Sequence, residues 1–80
     1  MSESRLLKKI KEVIKFETVS IAKIQRTFAI GYAKASGIVD EIENSGLLIE
    51  MGKSVRKYDL EQKEKIIEIF AKNLSFLKEE

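Results

Sequence analysis

Apolar spacing along this chain changes character at Gly46, and that change restricts the fold more than any other feature of the sequence. Upstream of it, three segments carry apolar residues at helical intervals. Downstream, Leu47-Leu48-Ile49-Glu50 is a short apolar run, Met51 to Val55 contains Gly52 and Ser54, and Arg56 to Leu60 has the basic-aromatic look of an edge strand, so a β-hairpin is expected. The first helix covers Arg5 to Phe16, with Leu6, Leu7, Ile10, Val13 and Ile14 inward and Lys8, Lys9, Lys11, Glu12 and Lys15 on a face that reads as solvated surface. Thr18 to Ser20 lends itself to a small strand. Ser20 then caps a second, short helix marked by Ile21, Ile24 and Phe28. Gly31 stands where a tight bend between two helices wants a residue free of Cβ constraints. From Tyr32 to Ser45 the stripe Ala35, Ile38, Val39, Ile42 defines a third helix, closed by Gly46 at the C′ position.

Two helices around a short turn followed by a hairpin make a winged helix-turn-helix. Residues 61–78 return to helical spacing and add a C-terminal amphipathic helix. The expected architecture is therefore mainly α with a small β-hairpin: a winged helix-turn-helix over residues 5–60 with an added C-terminal helix, residues 1–80 forming a single domain. Eighty residues leave no room for a second core.

Composition narrows the function. The chain has no cysteine and no histidine, which removes a disulfide framework, a thiolate zinc cluster, a cysteine nucleophile and an imidazole base. No enzyme, cofactor or metal is expected. No apolar run approaches the roughly 20 residues of a membrane helix, and the first residues lack the apolar stretch of a signal peptide, so a cytoplasmic location is expected.

The net charge of +2 says little, but its distribution says more. Between Thr18 and Val39 lie Lys23, Arg26 and Lys34 without an acid, and between Met51 and Tyr58 lie Lys53, Arg56 and Lys57, again without one. Asp40, Glu41, Glu43 and Glu50 crowd the rear of the third helix and the first wing strand. Positive charge thus falls on the parts of a winged helix that meet a duplex, and the acids imply shallow insertion of the front of the third helix. The candidate DNA-binding residues are Ser20, Lys23, Arg26, Tyr32, Ala33, Lys34, Gly37, Lys53, Ser54, Arg56 and Lys57. Lys23 and Arg26 are expected on phosphate, and Lys34 and Arg56 on base edges or phosphate. Ser20 reads mainly as a cap. Tyr32 is expected to pack beneath the second helix, with stacking on sugar-phosphate as the other option. Gly37, costly within a helix, points either to a close approach by DNA, the wing or another helix, or to plain tolerance.

The string Val19-Ser20-Ile21-Ala22-Lys23-Ile24-Gln25-Arg26-Thr27-Phe28-Ala29-Ile30-Gly31-Tyr32 resembles the gamma domain of the FtsK/SpoIIIE DNA translocases, which shows Val-Ser-Ile, Gln-Arg, Phe and Ile-Gly-Tyr at the same spacings. The likeness continues through Ala35, Ile38-Val39-Asp40, Glu43 and Gly46 to the wing segment Gly52-Lys53-Ser54-Val55-Arg56-Lys57, which resembles the family's Gly-Ser-Lys-Pro-Arg-Glu. It covers about Glu17 to Leu60. The resemblance implies a winged helix that binds short, non-palindromic duplex sites. In the family, Asn-Arg follows Gly-Tyr with a further Arg three positions on; here those positions are Ala33, Lys34 and Gly37, so only the charge at Lys34 is kept, while Arg56 matches the wing arginine. The sequence contains no Gly-x-x-x-x-Gly-Lys-Ser/Thr motif and hence no motor of that kind. The family's domain closes its chain shortly after the wing, and the helix added here, with Met1, suggests a free-standing protein.

The added helix is expected to pair two copies through Ile66, Ile67, Ile69, Phe70, Leu74, Phe76 and Leu77, with folding back on the first helix as the alternative; both hold together if Phe70 faces inward and Ile69 and Phe76 outward, and a helix swapped between protomers is a third arrangement. The sequence thus reads as a double-stranded DNA-binding protein, a small sequence-preferring regulator of transcription or site-recognition factor acting as a homodimer without contact to membranes. The alternative is a protein-interaction adaptor built on the same fold.

Overall fold

The computed structural model describes residues 4–16, 18–53 and 55–77. The chain runs α1 (Arg5–Ile14), α2 (Ile21–Phe28), α3 (Tyr32–Asn44), β1 (Leu48–Glu50), β2 (Arg56–Tyr58) and α4 (Lys63–Asn73), with short 3-10 turns at Leu60–Gln62 and Ser75–Leu77. This is a winged helix-turn-helix with an added C-terminal helix. No helix among the described residues is long and apolar enough to cross a membrane.

Local chemistry accounts for most of the boundaries. The Ser4 hydroxyl accepts from the Leu7 N–H at 3.0 Å and starts α1; the Ser20 hydroxyl accepts from the Lys23 N–H at 3.1 Å and starts α2. At the end of α3, Gly46 takes φ +75°, its N–H donates to the Glu43 carbonyl and the Leu47 N–H donates to the Ile42 carbonyl. That is a Schellman closure, with Leu47 and Ile42 both buried beside it.

The bend between α2 and α3 departs from the sequence expectation. Its left-handed residue is Ala29, at φ 55° and ψ 49°, whereas Gly31 is extended at φ −78° and ψ 172° and serves as the N-cap of α3. The Ile30 N–H donates to the Gln25 carbonyl, so the last turn of α2 closes on itself at Ala29 before Gly31 is reached. A second departure lies at the C-terminus. The expected helix over 61–78 begins at Lys63 and stops at Asn73, whose side-chain amide donates to the Ile69 carbonyl and competes with continued helix; Leu74 then turns the chain into the short 3-10 segment.

β1 and β2 pair antiparallel, with Leu48 opposite Tyr58, Ile49 opposite Lys57 and Glu50 opposite Arg56. Thr18 to Ser20 contributes one extended contact and no strand: the Val19 N–H donates to the Arg56 carbonyl at 2.7 Å. The hairpin is thereby tied to the entrance of α2.

One core joins these elements. Ile10, Val13 and Ile14 of α1, Ile24 and Phe28 of α2, Ala35, Ile38, Val39 and Ile42 of α3, Leu47 and Tyr58 of the hairpin, and Ile66, Ile69, Phe70 and Leu74 at the chain end form a continuous buried cluster. Phe70 is fully buried, its ring 5.9 Å from that of Phe28 and 6.2 Å from that of Tyr58. Burying such a ring is worth about 1.5–3 kcal/mol. The added helix therefore completes the core that α1 and α3 leave open. A bridge reinforces the joint, for the Glu41 carboxylate on α3 accepts from the Lys72 ammonium and from the Asn73 amide on α4.

Candidate nucleic-acid interface

The apolar stripe of α3 fixes what the helix shows to solvent. With Ala35, Ile38, Val39 and Ile42 turned to the core, a rotation of 100° per residue leaves Ala33, Gly37, Asp40 and Asn44 on the outward strip, and all four are exposed. That strip carries small side chains and no cation. Cations flank it instead. On one side Lys34 sits with its ammonium 5.3 Å from the centroid of the Phe76 ring, at the end of the chain. On the other side Arg56 reaches from β2 to α3, its guanidinium 3.1 Å from the Glu43 carboxylate. Wing and chain end thus form two shoulders along the exposed helix.

The front of α3 is open. Gly31 offers no side-chain cap, so the first N–H groups of the helix are unclaimed by a cap and their dipole favours an anion. Tyr32 stands at this front and is 63% exposed. Its expected burial is overturned, because it begins the helix one turn before Ala35 and flanks the core stripe instead of joining it. Around Gly37 an added Cβ would meet nothing within 4 Å, so neither the wing nor another helix approaches there among the described residues.

The remaining candidates lie on α2 and on the wing. Lys23 on α2 holds its ammonium 4.2 Å from the Phe16 ring centroid, and Arg26 one turn later is exposed. Ser20 is occupied as the cap of α2. Lys53 is exposed at the wing tip, and Ser54 lies outside the described residues. Side chains alternate along a strand, so Arg56 and Lys57 leave β2 on opposite faces. Arg56 meets α3, whereas Lys57 lines a cleft of about 480 Å³ with Lys15, Phe16, Ile49, Met51 and Leu60 on the far face of the hairpin.

Among the residues expected to pair two copies, Ile66, Ile69, Phe70 and Leu74 belong to the chain's own core, and Ile67 and Leu77 are half-buried against it. The outward position expected for Ile69 is corrected: it is buried where α4 meets the core. Phe76 is the exposed member, at 62%. Sequence reading missed Glu43 as the partner of Arg56 and Phe16 as the partner of Lys23. It also missed the apolar far face of the wing, where Phe16, Ile49, Met51 and Leu60 are all exposed. Only the alternation at Ile49 and Met51 signalled that last feature in advance.

Comparison with known proteins agrees with this geometry. The family model described as the Ftsk gamma domain matches residues 2–57. A DNA translocase FtsK of Sporosarcina ureae is 41% identical over 39 residues, which make up 49% of this chain and 5% of the translocase. The chain therefore spans a small fraction of the length of that curated relative. No solved structure matches the chain. The matched residues run from α1 through the helix-turn-helix into β2, taking in Lys34 and Arg56, and with more than half of its length so matched the chain belongs to the Ftsk gamma domain family, a family of DNA-binding winged-helix domains.

Proposed function

We propose that this chain binds double-stranded DNA as a small sequence-preferring site-recognition factor or regulator. The observation that carries the reading is the uncapped N-terminal front of α3, with Lys34 in its first turn, together with the further cations Lys23 and Arg26 on α2 and Lys53 and Arg56 on the wing. Phosphate seats against the free N–H groups of α3, and the flanking cations neutralise the backbone on either side while releasing its condensed counterions. Ala33 and Gly37 let the helix lie shallowly in the major groove, where Asp40 restrains deeper entry. Sequence preference then falls to Lys34, Arg56 and Tyr32 at the edges of the contact. A cytoplasmic location accompanies this reading.

Pairing of two copies through the C-terminal helix would rest on Phe76 with the half-buried Ile67 and Leu77, a small surface for a stable dimer. Light scattering of the free protein and of its DNA complex reads that stoichiometry directly.

A second reading, an adaptor for another protein, draws on the exposed Phe16, Ile49, Met51 and Leu60 around the far-face cleft. Charge reversal separates the two. Lys34→Glu combined with Arg56→Glu should abolish duplex binding if α3 and the wing meet DNA. Full retention of duplex affinity by that variant would reject the proposed interface.

A further inference from the structure

Arg56 is held in place by its backbone on both sides. Within the hairpin it lies opposite Glu50, and its carbonyl accepts from the Val19 N–H, so its Cα is fixed and only the side chain is free to change partner. In the free protein that partner is Glu43, 3.1 Å away in the last turn of α3, with the arginine side chain 27% exposed and the glutamate 49%. Asp40 precedes Glu43 by one turn on the same helix and Glu50 faces Arg56 across the hairpin, so the guanidinium lies in an acidic setting between the wing and the helix that faces outward. A carboxylate and a phosphate oxygen offer the guanidinium the same kind of charge-assisted hydrogen bonds.

We infer that Glu43 is an affinity-setting residue for nucleic acid: it competes with phosphate for Arg56, and Arg56 joins the grip on a duplex only by leaving α3. This inference rests on the DNA-binding reading above. Its consequence is that the free protein holds its wing cation in reserve, and binding breaks one ion pair while forming another. Weakly seated duplexes, which bring no phosphate within reach of Arg56, leave it on Glu43.

The test is a double-mutant cycle read by fluorescence anisotropy on a labelled random-sequence duplex at low salt. The proteins are wild type, Glu43→Gln, Arg56→Gln and the double variant, each checked for folding by circular dichroism. Glu43→Gln keeps the shape of an exposed side chain and removes only its charge. The expected result is a roughly two- to five-fold gain in affinity for Glu43→Gln when Arg56 is present, and no gain when Arg56→Gln is already in place. An equal gain in both backgrounds would show that Glu43 acts through general repulsion alone and overturn the inference. So would unchanged or weaker binding by Glu43→Gln, which would make the carboxylate inert or a positioning group for Arg56. Failure of all the proteins, wild type included, to bind any duplex rejects the DNA-binding reading and the inference with it; binding by wild type without coupling rejects the inference only.

Discussion

Replacing Gly37 by alanine should make the protein more stable and a poorer DNA binder. Gly37 lies in the middle of α3, is exposed, keeps ordinary helical geometry, and has nothing within 4 Å of the position a Cβ would take. Alanine there incurs no steric penalty and recovers the full helix-propensity difference, about 1 kcal/mol. An eighty-residue chain has an unfolding entropy near 0.17 kcal/mol/K, so the melting temperature should rise by about 6 °C. Thermal unfolding followed by circular dichroism at 222 nm reads this directly. The same variant, titrated against a duplex, should bind more weakly, because Gly37 is the lowest point of the outward strip between Ala33 and Asp40. An unchanged or lower melting temperature would refute the open-space argument. Higher stability with unchanged affinity would remove Gly37 from the interface.

Ala29→Gly should stabilise the protein by about 1 kcal/mol, against the usual sign for that substitution, because Ala29 alone among the described non-glycine residues holds a left-handed conformation; chemical denaturation that shows a loss would contradict the assigned bend. Tyr58→Phe should also raise stability by about 1 kcal/mol, since the Tyr58 hydroxyl is buried without a protein hydrogen-bond partner and burial pushes its pKa well above the ordinary tyrosine value. A marked loss of stability in denaturant would reveal a partner for that hydroxyl. The hydrogen bonds from Lys72 and Asn73 hold the Glu41 carboxyl below the ordinary carboxylate range. Its folded pKa is thus lower than its unfolded one, so the contribution of this bridge is complete above the unfolded value and fades as pH falls through the folded value. Glu41→Gln should accordingly flatten the acid limb of a melting-temperature profile, and a profile parallel to wild type would show that the bridge contributes nothing.

Local signals made much of this fold legible. Ser20 before an apolar run and Gly46 after one are caps whose chemistry is complete within a few residues, and both appear where that chemistry puts them. The hairpin follows from the break in periodicity past Gly46. Ala29 is not legible as the left-handed residue because alanine disfavours that region, and Gly31 two positions later is the residue the sequence offers for the bend. Tyr32 was misplaced because aromatic character alone suggests burial, whereas the phase of the Ala35 stripe turns it aside. The cations of the candidate site could be read from charge clustering, but their partners could not. Glu43 with Arg56, Lys34 with Phe76 and Lys23 with Phe16 join separate elements, and no periodicity within one element announces such pairs. The amphipathic spacing of α4 likewise identified an apolar face without saying whether a second copy or the chain's own core would cover it; Phe70 between Phe28 and Tyr58 supplies the covering from within.

The most direct measurement is the affinity of the wild-type protein for a labelled random-sequence duplex across a series of salt concentrations. Four or five cations on phosphate, drawn from Lys23, Arg26, Lys34, Lys53 and Arg56, predict a logarithmic slope of about −4 and a loss of roughly two orders of magnitude in affinity between 50 and 200 mM salt. Absence of binding at the lowest salt, or an affinity that does not respond to salt, would contradict the claim that α3 and the wing form a DNA-binding surface.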